Sequence, residues 1–130
     1  MTQYAMAHEA DPKKELMKQV GNLNGIEIFN NQVLVAVYVR PEKTAGGIVL
    51  PDKHRDEDRN QGKIGLLIKK GPLAFVEEQK QWFAGAEISL HDWILFRPSD
   101  GWAVTINGVR CRVLDDTYVR GKVAHPDQIW

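Results

Sequence analysis

Cysteine is nearly absent from this chain. Cys111 stands alone among 130 residues, which excludes an internal disulfide framework and any CxxC redox or zinc site. An excess of either charge is absent as well. Seventeen Lys and Arg face 17 Asp and Glu, so nothing global draws the chain to a nucleic acid or to an anionic membrane. No apolar run approaches the roughly 20 residues of a membrane span. Residues 1–14 lack the apolar stretch of a secretory signal. Gly46-Gly47 is not followed by GK[ST], so there is no P-loop. These absences leave a reducing cytoplasm as the expected compartment. The length suits a single domain with a modest core.

What is present is mostly β. Residues 33–39 carry valine at every second position, and the positions between are apolar too, so this strand is expected to be buried on both faces. Pro41 ends it. Residues 64–70 form a second strand, stopped by Gly71-Pro72, and residues 93–96 a third, closed by the turn residues Pro98-Ser99-Asp100-Gly101. Residues 102–106 and 109–114 flank Asn107-Gly108, the dipeptide of a type I′ hairpin. Residues 118–123 form a weaker strand, and 124–130 read as an irregular tail. Residues 72–87 give no clear signal beyond a helical turn. Several short strands with turns between them indicate an all-β chain folded as a small barrel or sandwich.

Two segments stand apart from that core. Residues 1–25 form an arm with one short helix. Asp11 is its N-cap, Pro12 its first residue and Gly21 its stop, with Leu16, Met17 and Val20 on one side. Such a helix is marginal alone. It is either a docked or fraying arm, or an arm that binds a partner. Residues 40–63 form a long aperiodic loop whose second half is almost wholly charged and is expected to stay outside the core. Within it, Ile48-Val49-Leu50 lies between Gly46-Gly47 and Pro51, as either a short strand or a recognition element.

Residues Thr44-Ala45-Gly46-Gly47-Ile48-Val49-Leu50 closely resemble the mobile-loop signature of the bacterial co-chaperonins, the GroES-type lids of GroEL-type chaperonins (the chaperonin-10 family). The surroundings agree. Asn31-Gln32-Val33-Leu34-Val35 resembles the strand before that loop, and Gly62-Lys63-Ile64-Gly65-Leu66-Leu67-Ile68 the strand after it. His91-Asp92-Trp93-Ile94-Leu95-Phe96 and Asp100-Gly101-Trp102-Ala103-Val104 are similar to the family's later strand and turn. The resemblance covers residues 26–123, with the mobile loop at 40–63. The added arm at 1–25 resembles that of co-chaperonin-like proteins of tailed bacteriophages. The family's proline before the first core strand is missing from Ile26-Glu27-Ile28-Phe29. Its Asp-Arg pair is replaced by Asn31-Gln32, and its roof hairpin has no clear match in 71–90.

The resemblance implies a GroES-like β-barrel and a heptameric ring. Gly46 and Gly47 would present Ile48, Val49 and Leu50 to an apolar groove between two helices of the chaperonin. Ring closure would pair the N-terminal strand, with Ile26 and Ile28, against a neighbour's C-terminal strand, with Tyr118, Val119 and Val123. No cofactor, nucleic acid or membrane is implied, and ATP belongs to the partner chaperonin. Burial of three aliphatic side chains contributes roughly 5–9 kcal/mol. Ordering six loop residues costs roughly 6–12 kcal/mol, so one loop binds weakly and several on one ring gain avidity.

Other constellations read as structural. His91-Asp92 are adjacent in sequence and point apart in a strand. His54 among Asp52, Asp56 and Asp58 is interleaved with Lys53, Arg55 and Arg59, which repel a cation. His8 and His125 have no partners in pattern. Cys111 alternates with Arg110 and Arg112, as a buried packing thiol would. Trp102 near Arg110 and Arg112 is a weak match to an OB-type nucleic-acid surface. Two other functions stay open. One is a phage assembly or binding module that keeps the barrel and uses its arm. The other is an enzyme, since large zinc alcohol dehydrogenases contain a similar barrel, although this chain has neither their cofactor domain nor their cysteine ligands.

Overall fold

In a computed structural model, the described residues are 11–41, 47–60, 63–76 and 87–129. They form two helices, α1 (Pro12–Val20) and α2 (Asp52–Asn60). Six strands accompany them: β1 (Gln32–Val37), β2 (Ile64–Lys70), β3 (Trp93–Leu95), β4 (Trp102–Ile106), β5 (Val109–Asp115) and β6 (Gly121–Val123). All six belong to one antiparallel sheet in the order β4-β5-β1-β2-β3-β6. The all-β class expected from the sequence is what is found, with the strands close to the expected positions.

β1 sits mid-sheet and is apolar on both faces. Leu34, Ala36 and then Tyr38 join one core with Ile64, Leu66, Ile68, Trp93, Val109 and Cys111. Val33, Val35 and Val37 join a second core with Leu67, Ala74, Ile94, Phe96 and Leu114. The period of two along a strand sends alternate residues to opposite faces. The β1–β2 register shifts between Leu34 and Val35, so Leu34 opposes Lys69 while Val35 opposes Leu67. A bulge of this kind adds a residue and bends the strand.

The start of β1 is tied to the end of β5 by amides. Asn31 Nδ2 donates to Asp116 at 3.0 Å, and Gln32 Nε2 donates to Asp115. Asp116 also accepts from the Phe75 N–H at 2.9 Å. The uncharged Asn31-Gln32 pair thus uses its amide donors where the family has Asp-Arg. The hairpin is as expected, with Asn107 at φ 51° and Gly108 at φ 81°. Its tip also holds the arm, since Asn107 Nδ2 donates to the Val20 carbonyl at 2.6 Å. α1 carries the expected Asp11 cap, with Oδ1 accepting from the Lys13 N–H. Leu16, Met17 and Val20 pack on the first core, so this part of the arm docks.

The structure corrects two expectations, at 118–123 and at the tail, while the expected pairing of 26–29 is with a neighbouring copy. Within the chain, residues 26–29 are not a strand. Both edges of β1 and of β2 are already taken, and Ile26 and Ile28 instead pack on the first core while Lys69 Nζ donates to the Ile26 carbonyl. Residues 118–123 are only half strand. A 3-10 turn (Asp116–Tyr118) comes first, and β6 begins at Gly121. The tail is not irregular. A 3-10 turn (Pro126–Gln128) buries Pro126 and Asp127, and Asp127 accepts a 2.6 Å hydrogen bond from the buried Tyr38 hydroxyl. The weakly read segment lies mainly at 77–86, outside the described residues. Residues 72–75 form a turn.

This packing can be tested at Gly101 and at Cys111. Gly101 sits at φ 68°, and a Cβ there would lie 2.3 Å from the Val113 carbonyl oxygen. Gly101→Ala should lower unfolding stability by roughly 1–3 kcal/mol, read by urea denaturation. Burial pushes the Cys111 thiol from 9.0 up to about 11. Burial, followed by the hydrogen bond to Asp127, also holds the Tyr38 hydroxyl above its ordinary 10.0. Above pH 9 the unfolded thiol ionises while the folded one stays protonated. The Cys111 contribution to stability should therefore be constant below pH 9 and fall between pH 9 and 11, with Tyr38 adding to the fall above pH 10. Cys111→Ala should flatten that fall in denaturation curves taken across this range.

Candidate functional site

The site is the loop between β1 and β2. Gly46 lies outside the described residues. Gly47 has φ 87° and open space around its Cα. Ile48 is 60% exposed and Val49 55%, while Leu50 is half-buried. Ile48 and Val49 are adjacent exposed aliphatics in a polar loop, exposed to about the same degree as Phe29, Val76 and Trp102 elsewhere on the surface. Four of the five residues expected to contact a chaperonin are thus described, and two of them present large apolar surface.

The second half of the loop departs from expectation. It is α2, beginning where the Pro51 carbonyl accepts from the His54 and Arg55 N–H groups at 3.0 and 3.5 Å. Asp52 in its first turn suits the positive end of the helix dipole. No residue of α2 is apolar, and a nine-residue helix is marginal in isolation. Its anchor is Asp58, 2% exposed. The Asp58 carboxylate receives three hydrogen bonds of 2.9 Å from Arg40: from the backbone N–H and Nε to Oδ2, and from Nη2 to Oδ1. Arg55 Nε donates to the Arg40 carbonyl at 3.2 Å. A carboxylate can be buried here because a forked guanidinium and a backbone donor satisfy it.

This clasp joins residues 18 apart and closes the loop at its root. The C-terminal turn docks at the same corner: both Asp127 and Asp58 help raise the Tyr38 hydroxyl pKa, so both carboxylates lie near it. Neither Arg40 nor Asp58 stands out in the sequence. Asp58 is one of four acidic residues in α2, and nothing local distinguishes it from Asp52, Asp56 or Glu57.

The interface candidates do not share one face. Ile26, Ile28 and Val123 pack toward the first core and Val119 toward the second, while Tyr118 is 36% exposed. The constellations read as structural have structural explanations. His91 occupies a turn at φ 73°, while Asp92 accepts from the Ser89 N–H and lies 3.6 Å from Lys122 Nζ. His54 is exposed on α2, and Cys111 is buried. Trp102 is exposed on the end strand β4, but Arg112 turns inward and donates to the Asp100 carbonyl at 3.0 Å. Among the described residues, no helix is long and apolar enough to cross a membrane.

Residues 25–123 match the family model described as the chaperonin 10 Kd subunit. The chain is 27% identical over 93 residues to the Co-chaperonin GroES of Pelagibacter ubique, covering 72% of this chain and 91% of that protein. It is 34% identical over 83 residues to the Co-chaperonin GroES of Halothermothrix orenii, covering 64% and 80%. The Co-chaperonin GroES 2 of Mesorhizobium japonicum is 28% identical over 95 residues, covering 73% and 86%. The matched span takes in all six strands, the exposed tripeptide and α2, and leaves out α1. On this match the chain belongs to the Cpn10 family, the chaperonin 10 kDa subunits.

Proposed function

We propose that this chain is a co-chaperonin, a non-enzymatic lid that caps a GroEL-type chaperonin ring in the cytoplasm and so assists ATP-dependent protein folding. The observation that carries this reading is the exposed pair Ile48-Val49, set in a loop of a Cpn10-family sheet. Ile48, Val49 and Leu50 enter an apolar groove of the chaperonin, and Gly46 and Gly47 shape the turn that presents them. The chaperonin binds and hydrolyses the ATP. This chain contributes apolar contact and a cover. The alternative of a phage assembly module acting through its arm gains no support from α1, whose apolar side is used on its own core.

The lid is a ring, for which seven copies are the family-based expectation. β6 ends the sheet, so its outer edge is available to a neighbour. Residues 26–29, which lie outside the sheet of their own chain, supply the matching backbone. Pairing them removes an exposed edge. Phe29, within that segment and 62% exposed, and Tyr118, shortly before β6, gain cover with them.

Ile48→Ser and Leu50→Asp should abolish retention by an ATP-loaded GroEL-type chaperonin on gel filtration, with the β circular dichroism spectrum unchanged. Undiminished retention of either folded variant refutes the assignment of the tripeptide. Native mass spectrometry of the wild-type chain should give a sevenfold ring. A monomer at micromolar concentration refutes the ring.

A further inference from the structure

We propose that Arg40 and Asp58 are positioning residues for chaperonin capture, because their clasp holds α2 as a strut that carries the Ile48-Val49-Leu50 tripeptide. The inference rests on the proposed function and adds residues outside the tripeptide to it. α2 leads directly from the tripeptide, through Pro51, back to the sheet. From Asp52 to Asp58 it spans about 9 Å at 1.5 Å per residue. Its far end is held where β1 leaves the core, by three 2.9 Å bonds to Arg40 and by Arg55 on the Arg40 carbonyl.

Three observations converge. The helix has no apolar residue and is too short to persist alone, so its order depends on the clasp. Asp58 is almost fully buried while its helical neighbours Asp56 and Glu57 are exposed, so the clasp is the buried contact of α2 among the side chains described. The clasp also shortens the span between fixed points. Of the segment from 40 to 63, α2 holds the nine residues Asp52–Asn60. A segment ordered before binding loses less entropy on binding, and this raises affinity without any new contact.

The test uses the full-length chain. Asp58→Asn removes the charge, and Arg40→Lys keeps it while losing the fork. Glu57→Pro breaks α2 at an exposed position and leaves both clasp side chains in place. Amide hydrogen exchange over residues 52–60 reads the strut. Thermal unfolding reads the barrel. Titration against an ATP-loaded GroEL-type chaperonin reads capture, with Ile48→Ser as the reference for lost contact. Asp58→Asn and Glu57→Pro should lose exchange protection over 52–60 and weaken capture at least tenfold, while Arg40→Lys falls between them and wild type. Glu57→Pro should leave the barrel's unfolding midpoint unchanged, which separates positioning from general stability if Asp58→Asn unfolds.

Capture equal to wild type by a Glu57→Pro chain whose α2 has melted overturns the inference and leaves the tripeptide assignment standing. Full exchange protection in Asp58→Asn also overturns it. A wild-type chain that ignores the chaperonin, as Ile48→Ser does, overturns the proposed function and this inference with it.

Discussion

The structure depends on a strand that is apolar on both faces. β1 cannot lie on a surface: Val33, Val35 and Val37 need cover on one side, and Leu34, Ala36 and Tyr38 on the other. A sheet with one solvated face does not supply that. The chain meets the demand by using segments that would otherwise be appendages. α1, with Leu23, Ile26 and Ile28, covers the first face. Ala74, Phe75, Ile88 and Val119 help to close the second. α1, the 72–75 turn and the connection into β6 are thus parts of a double core. This also explains why residues 26–29 are not paired within their own chain: the side chains of Ile26 and Ile28 serve the core, and the backbone lies outside the sheet.

Much of this is legible in the sequence because it is local. Valine at every second position, Asn107-Gly108, Asp11-Pro12 and the Pro98–Gly101 turn each specify their own geometry within a few residues, and each appears as read. The features that are not legible depend on distant partners. α2 has the composition of a solvated loop, and only Arg40, 18 residues away, allows Asp58 to be buried. The C-terminal turn reads as irregular because its anchor, the Tyr38 hydroxyl, lies 89 residues away. Arg112 has the look of an ordinary flanking cation, yet it is buried against the Pro98–Gly101 turn through the Asp100 carbonyl. Period and turn chemistry carry no information about a polar residue whose partner is remote.

The site divides in the same way. The tripeptide is legible as three aliphatics between turn residues, and the exposure of Ile48 and Val49 agrees with that reading. The Arg40–Asp58 clasp is not, because a buried ion pair is built from the commonest surface residues. Breaking one partner of such a pair leaves a buried charge uncompensated, so the clasp is sensitive to single substitutions in a way that the exposed charges of α2 are not.

Under the proposed function, the energy balance of capture favours a loop that is partly ordered before docking. Three aliphatic side chains supply roughly 5–9 kcal/mol when buried. If the roughly 20 residues from 41 to 60 had to be ordered at docking, the loss at 1–2 kcal/mol each would be on the order of 20–40 kcal/mol. No contact of this size could be made. Docking requires that most of the loop either be ordered beforehand or remain unordered afterwards. α2 places nine residues in the first category. A loop ordered throughout would hold the lid too tightly for a cycle of closing and opening. A loop without order would not hold it at all. Under the proposed function, a clasped helix beside an apolar tripeptide lies between these limits, and avidity among several copies would set the total.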